Sequence, residues 1–151
     1  MQCCFGLGDG CTRLLVRLER LIDLDSRDLA AGQKRYPYSR AIAYSYISAL
    51  QDSGDSPAAL DALNATLRLY PRDARLHALQ AKTYAALGKR LLQHQSQGEA
   101  YALQGSLPAA IEQFQLARSS GDGDFYQLSV VDARLKELRS QYAAEMKDVK
   151  R

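Results

Sequence analysis

The sequence predicts an all-α protein built from antiparallel helix pairs that stack on one another. Alanine and leucine are abundant and β-branched residues are few, which favours helix. A short segment recurs along the chain, and apolar residues follow each copy at spacings of three and four, as on one face of a helix. With 151 residues, of which 46% are hydrophobic and 25% charged, the chain can form one domain with one core.

Charge and hydropathy argue against two classes of function. The net charge is only +3, and basic residues are mixed with acidic ones, as at Arg17, Glu19 and Arg20. This mixture is typical of solvated helix faces rather than of a phosphate-binding stripe. No apolar stretch approaches the roughly 18 residues of a membrane-spanning helix, and the charges between Leu14 and Leu24 interrupt any secretory signal core. We therefore expect neither nucleic-acid binding nor membrane insertion.

The three cysteines, Cys3, Cys4 and Cys11, all lie in the first eleven residues. A zinc site would need a fourth ligand nearby, and the first histidine is His77. The rest of the chain has no cysteine with which a disulfide scaffold could form. We predict that residues 1–11 are a disordered tail with free thiols, without a metal.

One turn motif is repeated along the chain. The segment 54–60 recurs at 105–111, with glycine, proline, two alanines and an aliphatic residue at the same offsets. Residues 81–88 and 98–105 resemble each other in the same way, and both end in glycine. The predicted turn glycines are Gly54, Gly88 and Gly105, which are 34 and then 17 residues apart.

Each residue type in this motif has a physical reason. Glycine ends a helix because it enters the left-handed region without a Cβ penalty. Serine or aspartate then caps the next helix, and Pro57 or Pro108 lies in its first turn, where a missing N–H costs nothing. Small alanines allow the neighbouring helix to approach closely. The buried stripes that follow are Ala59, Leu60, Leu63 and Leu67 in one copy, and Ala110, Ile111, Phe114 and Ala117 in the other.

The 34-residue helix–turn–helix period resembles the tetratricopeptide repeat. The matching residues are Gly54, Pro57, Ala59 and Pro71 in one unit, Tyr84 and Gly88 in the next, and Gly98, Tyr101, Gly105, Pro108, Ala110, Phe114 and Ala117 in a third. The resemblance implies a right-handed superhelix of antiparallel helix pairs that ends in a C-terminal capping helix. The family's first-helix tryptophan is replaced by Ala43, His77 or His94. The 17-residue spacing makes two units overlap, so helix 89–104 must serve both.

The predicted order of elements follows from these patterns. The helices are 12–23, 25–34, 39–52, 56–70, 72–87, 89–104, 107–120 and 125–146, within a repeat domain of residues 12–146 that is followed by a tail, 147–151. The first helix is amphipathic through Leu14, Leu15, Leu18, Leu21 and Ile22. The last helix has an apolar stripe of Phe125, Leu128, Val131, Leu135, Leu138 and Tyr142. Its polar face, which an end helix needs, is Arg134, Lys136, Glu137, Arg139 and Lys147.

We find no catalytic or metal-binding motif in the sequence. HExxH is absent, and His77 and His94 are predicted to be surface or packing residues. The glycine-rich segment 6–10 lacks the Lys-Ser/Thr pair of a phosphate loop. Asp122 and Asp124 lack the length and the distal glutamate of a calcium loop, so a turn and a cap are predicted. We expect this chain not to be an enzyme and to need no cofactor.

Stacked helix pairs form a groove that accepts an extended peptide or a helix, so we expect a protein or peptide partner and a monomeric chain. If the geometry of the family applies, the groove residues are Tyr44, Ser48, Arg75, Lys82, Gln95 and Glu99. The positions of the family's carboxylate clamp contain no asparagine here. A second candidate surface consists of Tyr36, Tyr38, Tyr44 and Tyr46.

Residues 35–44, 76–79 and 123–128 are similar to the C-terminal repeat domain of bacterial zinc metallopeptidases of the β-barrel assembly-enhancing type. The resemblance implies a periplasmic parent protein whose repeat domain contacts outer-membrane assembly machinery or regulates access to a peptidase active site. It assigns no catalytic residue to this chain. The alternative is a free-standing tetratricopeptide adaptor that assembles a protein complex, and this adaptor would be cytoplasmic if the chain is complete as given.

Overall fold

The computed structural model describes residues 27–149, which form helices joined by short turns. The helices are α1 (27–35), α2 (Arg40–Asp52), α3 (Ser56–Leu69), α4 (Ala74–Ala86), α5 (Arg90–Leu103), α6 (Leu107–Ser119) and α7 (Phe125–Val149). The all-α prediction is confirmed, with helix ends within a few residues of those expected. The predicted tail 147–151 is wrong for residues 147–149, which continue α7. Helix 12–23 and the cysteine-containing tail 1–11 lie outside the described residues.

The chain divides into two compact units between Asp55 and Ser56. In the first unit, Ala43, Ile47 and Leu50 form the buried stripe of α2, at helical spacings of four and three. Gly32 of α1 lies close to Ile42 of α2. In the second unit, α3 to α7 pack in sequence order, each on the next.

Helix α5 is the central element of the second unit. None of its residues from 91 to 103 is exposed. One face contacts α6 through Gly98, and another contacts α4 through Ser96. A helix buried on two sides needs small side chains, and α5 supplies Ser96, Gly98, Ala100 and Ala102. It therefore belongs to two helix pairs at once, as the overlapping 17-residue spacing predicts.

The main core of the second unit lies between α5, α6 and α7. It is centred on Phe114, which is fully buried. An added Cβ on Gly98 would lie 2.7 Å from two ring carbons of Phe114, so the aromatic ring occupies the space that a side chain would need. The other buried members of the cluster are Leu91, Leu107, Ala110, Ala117, Val131, Leu135 and Leu138.

The three repeated turns have the same backbone structure. Gly54, Gly88 and Gly105 have φ values of 81°, 71° and 80°, in the left-handed region that favours glycine. The amide after each glycine donates at 3.0 Å to the carbonyl five residues earlier, which is the Schellman pattern. The donor–acceptor pairs are Asp55 to Leu50, Lys89 to Tyr84, and Ser106 to Tyr101. The predicted turn glycines are confirmed.

The prediction of a serine cap after these turns is wrong for α6. Ser106 is the residue before the helix, but its side chain makes no capping hydrogen bond. Its ψ is 72°, compared with 105° at Asp73, whose carboxylate accepts from the amides of Arg75 and Leu76 and caps α4. Ser39 before α2, with a ψ of 104°, also makes no side-chain capping bond, so the backbone angle alone does not decide whether a serine caps.

The predicted stripe of α7 is correct except at its first residue. Val131, Leu135 and Leu138 are buried, whereas Phe125 is 88% exposed. Successive residues on a helix are rotated by about 100°, so two residues three positions apart differ by about 300°, which is about 60° short of a full turn. Phe125 lies six residues before Val131 and is therefore about 120° away from it around the helix axis. Across residues 27–149, no helix combines the length and apolar character that crossing a membrane requires.

Candidate binding surfaces

Two of the predicted groove residues, Tyr44 and Ser48, belong to the first unit. They lie one turn apart on α2, and both are half-buried. The neighbouring tyrosines divide into two groups. Tyr36 and Tyr38 are 54% and 75% exposed, whereas Tyr46 is half-buried like Tyr44. The second candidate surface therefore reduces, in the described chain, to the two tyrosines before α2.

The predicted residues Arg75 and Lys82 lie on one exposed face of α4. They are two turns apart and both are exposed. The positions between them on this face are Ala78 and Leu79, both half-buried, and the exposed Ala85 and Ala86 lie beyond Lys82. We define the α4 face as Arg75, Ala78, Leu79, Lys82, Ala85 and Ala86. Alanine side chains leave the helix backbone within reach of a partner. The α4 face therefore combines two long basic side chains with a shallow surface.

The opposite side of α4 carries a polar contact that the sequence analysis missed. Gln80 lies about 140–160° around the helix from Arg75 and Lys82, at about 100° per residue. Its Nε2 donates to Asn64 of α3 at 3.3 Å, and its Oε1 accepts from the hydroxyl of Ser96 of α5 at 3.1 Å. Asn64, Gln80 and Ser96 follow one another at intervals of 16 positions, and this spacing is the only feature of the sequence that could have indicated the contact. The bonds place α3 and α5 on the same side of α4.

The last two predicted groove residues, Gln95 and Glu99, lie on the enclosed helix α5 and are half-buried. Glu99 is engaged by α7, because both of its oxygens accept from Arg134 at 2.9 Å. The Nη1 atom of Arg134 also donates to Glu137 at 2.7 Å. Arg134 was predicted for the solvated face of α7, and this prediction is wrong. Its side chain is 27% exposed and turns toward α5.

The contact with Glu99 favours the charged form of Arg134. The hydrogen bonds to Glu99 raise the pKa of the guanidinium further above its usual range, against a smaller opposing effect of burial. An arginine fork on a carboxylate is among the stronger ion pairs in proteins. The residue pair therefore joins two helices rather than presenting a free carboxylate to a partner.

Both histidines make hydrogen bonds within the protein. The Nε2 atom of His77 lies 3.0 Å from the carbonyl oxygen of Pro71. The Nδ1 atom of His94 lies 2.9 Å from the Oε1 atom of Gln113 on α6, which pairs the two helices. These contacts are consistent with the predicted surface or packing roles. Within residues 27–149, no group of three or more histidine, cysteine, aspartate or glutamate side chains is placed to hold a metal ion.

The turn between α6 and α7 is attached to the start of α5. Both oxygens of Asp122 accept from the amide of Leu91, at 3.0 and 3.2 Å, so this aspartate caps a helix 31 positions earlier in the chain. The pKa of Asp122 is lowered, chiefly by a hydrogen bond from Ser120 and further by backbone amides at the start of α5. Gly123 lies directly against the Leu91 side chain, where a Cβ would overlap it.

The start of α7 is closed by a reciprocal cap. The carboxylate of Asp124 accepts from the amide of Gln127 at 2.7 Å, and the side chain of Gln127 accepts from the amide of Asp124 at 3.1 Å. The predicted turn and cap at Asp122 and Asp124 are both confirmed.

A cluster of exposed aromatic and basic residues surrounds this turn. Phe125 and Tyr126 are 88% and 75% exposed, and Val130, one turn beyond Tyr126, is 38% exposed. Leaving one such aromatic side chain in water rather than in a core forfeits about 1.5–3 kcal/mol. Lys89 and Arg90 are exposed at the start of α5, immediately before the capped Leu91. We call this set of residues the aromatic end: Lys89, Arg90, Phe125, Tyr126 and Val130.

No protein-family model matches the sequence, and no curated protein matches it at a significant level.

Proposed function

We propose that this chain is a non-catalytic, protein-binding helical-repeat module, and that its partner binds on the α4 face. The proposal is supported chiefly by one observation: Arg75 and Lys82 are exposed two turns apart, with Ala78 and Leu79 half-buried between them and Ala85 and Ala86 exposed beyond them. Two turns of helix separate them by about 10 Å. A peptide or helix lying over the alanines would place acidic or carbonyl groups within reach of both basic side chains.

The repeat-like fold supports the same function. Helix pairs that stack on shared neighbours present extended surfaces without a deep pocket, and such surfaces suit protein segments better than small molecules. Helix α4 itself contains no acidic residue, and the carboxylate nearest to its basic residues in the chain is that of Asp73, which caps its first turn. We infer that the partner segment carries carboxylates.

A more specific proposal concerns the parent protein. The sequence similarity described above supports a C-terminal interaction domain of a periplasmic zinc metallopeptidase that acts in outer-membrane protein quality control. In that setting the partner is the assembly machinery or the peptidase domain itself. The genomic sequence upstream of Met1 tests this proposal, because a reading frame that encodes HExxH and an export signal is required. A stop codon directly upstream would favour the free-standing adaptor.

The binding proposal is tested by affinity capture with the full chain as bait. Bacterial periplasmic, outer-membrane and cytosolic extracts are compared, and captured proteins are identified by mass spectrometry. The variant Arg75→Glu/Lys82→Glu should lose the partner. The matched control Lys136→Glu/Arg139→Glu makes the same change of charge at exposed positions on α7 and should retain the partner.

The outcome also decides where the surface lies. Loss in the α4 variant alone supports the α4 face, whereas equal capture by both variants moves the binding site elsewhere on the molecule. A partner captured only from the cytosol contradicts the periplasmic assignment. Circular dichroism of each variant verifies that the helices are intact.

A further inference from the structure

We propose that the aromatic end is a second, independent docking surface, and that it binds a short acidic peptide segment with apolar side chains from a partner protein. The surface is distinct from the α4 face, because it is formed by the start of α5 and the start of α7. It does not depend on the repeat resemblance.

The hydrogen bond between Leu91 and Asp122 brings the basic and the aromatic residues of the aromatic end close together. Asp122 accepts a hydrogen bond from the amide of Leu91, the residue directly after Arg90, and Asp122 lies three residues before Phe125. Three residues span at most about 10 Å. The basic pair and the aromatic pair are therefore neighbours at one end of the second unit, held together by the packed turn.

The apolar component is the exposed aromatic pair. Phe125 and Tyr126 lie outside the buried stripe of α7, and their exposure of 88% and 75% far exceeds that of the stripe residues. The capping bonds between Asp124 and Gln127 fix the backbone on either side of them. A rigid, exposed aromatic pair is the kind of anchor that dominates protein interfaces.

The net charge of the aromatic end indicates which charge its partner should carry. Two carboxylates lie in the turn, but Asp122 and Asp124 each accept hydrogen bonds at the start of a helix. A helix N-terminus carries about half a positive charge, which offsets about half of the charge of each carboxylate. With Lys89 and Arg90 the surface keeps a small net positive charge, which is enough to favour a short acidic segment over a basic one.

An anionic membrane is the less suitable partner for this surface. Membrane attraction of this kind needs clusters of basic residues, with about 1 kcal/mol from each. The aromatic end has two basic residues beside two carboxylates. The leucine-rich segment 12–23 of the same chain is also a poor match, because it contains three arginines against one glutamate and one aspartate.

The experiment measures binding of the full chain to short fluorescent peptides by anisotropy. The probes are a peptide of alternating leucine and glutamate, its leucine–lysine counterpart, its serine–glutamate counterpart, and a peptide copying residues 12–23. We expect the leucine–glutamate peptide to bind best and to weaken with added salt. Phe125→Ser/Tyr126→Ser should raise its dissociation constant about tenfold or more. Both side chains are exposed, so the fold should survive, and thermal melting monitors this.

A charge swap provides the second test. Lys89→Glu/Arg90→Glu should transfer the preference from the leucine–glutamate to the leucine–lysine peptide. Arg75→Glu/Lys82→Glu should leave leucine–glutamate binding unchanged. If only this α4 variant loses the peptide, the aromatic end is not the site, and the proposed function stands by itself.

Three further measurements test other possible occupants of the aromatic end. Tighter binding of the 12–23 peptide would mean that the chain covers its own surface, and this result would overturn the proposal. The proposal would also fail if Phe125→Ser/Tyr126→Ser kept the peptide affinity of the parent and lost only binding to phosphatidylserine vesicles. The same conclusion would follow if this variant lost only self-association, measured by sedimentation.

Discussion

Arg134 and Glu99 form a two-pronged ion pair that joins α7 directly to α5, the two helices that α6 connects in the chain. The Nε and Nη2 atoms of Arg134 donate at 2.9 Å to the two carboxylate oxygens of Glu99. The side chains are only 27% and 26% exposed. Solvent screening is therefore weaker here than for an ion pair on the open surface.

We expect this pair to contribute measurably to stability. A double-mutant cycle with Glu99→Gln and Arg134→Gln should give a coupling free energy of about 1–2 kcal/mol in urea unfolding. The matched control is Arg118 with Asp132, an ion pair at 3.0 Å whose side chains are 60% and 49% exposed. That pair should couple by less than about 0.5 kcal/mol. Equal coupling in the two cycles would show that burial and the forked geometry add nothing.

Gly98 is expected to resist substitution although it lies in the middle of a helix. Alanine would normally stabilise a helix by about 1 kcal/mol relative to glycine. At Gly98 the new Cβ would lie 2.7 Å from the Phe114 ring, so we expect Gly98→Ala to lower the free energy of unfolding by about 1–3 kcal/mol. Gly32 of α1 is the control, because its Cβ would meet Ile42 at an ordinary 3.5 Å. Gly32→Ala should be stabilising by about 0.5 kcal/mol.

A smaller side chain at the facing position should relieve the clash. In the Phe114→Leu background, adding Gly98→Ala should cost at least about 1 kcal/mol less than it does in the parent. If the cost of the alanine is unchanged, the ring is not the obstacle.

The two phenylalanines of the second unit should differ sharply in their effect on stability. Phe114 is fully buried, and Phe114→Ala should cost about 3–5 kcal/mol through lost burial and a cavity. Phe125 is 88% exposed, and Phe125→Ala should change stability by less than about 0.5 kcal/mol. Thermal and urea unfolding of both variants provide the comparison. A large loss for Phe125→Ala would mean that this side chain packs in solution.

Asp122 should make stability depend on pH in the acid range. Its pKa is lower in the folded chain than in the unfolded chain, so its contribution is fully present above the unfolded pKa of about 4. The contribution is lost as the pH falls through the folded pKa. We therefore expect the difference in urea midpoint between the parent and Asp122→Asn to be largest near neutral pH and to shrink below about pH 4.

Ser120, whose hydroxyl also lies 2.8 Å from the carbonyl oxygen of Ala117, has the largest effect on the pKa of Asp122. Ser120→Ala should move the pKa of Asp122, measured by NMR titration of its carboxyl group, back toward the ordinary value. An unchanged pKa in this variant would assign the lowered pKa to the backbone amides of Arg90, Leu91 and Asp122.

The sequence predicts the helices and turns well because their causes are local. Glycines at Gly54, Gly88 and Gly105 need only their own backbone geometry to end a helix. The spacing of Ala110, Phe114 and Ala117 places them on one face whatever the neighbours are. The overlap of two units at helix 89–104 was also visible in the spacing of the turns.

The contacts that could not be predicted join residues far apart in the chain. Arg134 is polar and was assigned to the solvated face, because its partner on α5 is 35 positions away. The sequence predicts a turn and a cap at Asp122, but not that the capped amide is that of Leu91, 31 positions earlier. Phe125 was placed in the core on hydropathy, whereas the gradual rotation of the stripe carries it into solvent. Side-chain type alone does not determine these partners.

The enclosure of α5 limits how this architecture can vary in length. An array of independent helix pairs can gain or lose one pair and leave its neighbours intact. Here the contact of Ser96 with α4 and the contact of Gly98 with α6 use opposite sides of one helix. Removal of the helices on either side of α5 would expose one of its faces, whose alanine and glycine residues have no other partner. Insertion or deletion of a helix pair within α4 to α7 should therefore be poorly tolerated, because α7 also contributes to the core around Phe114.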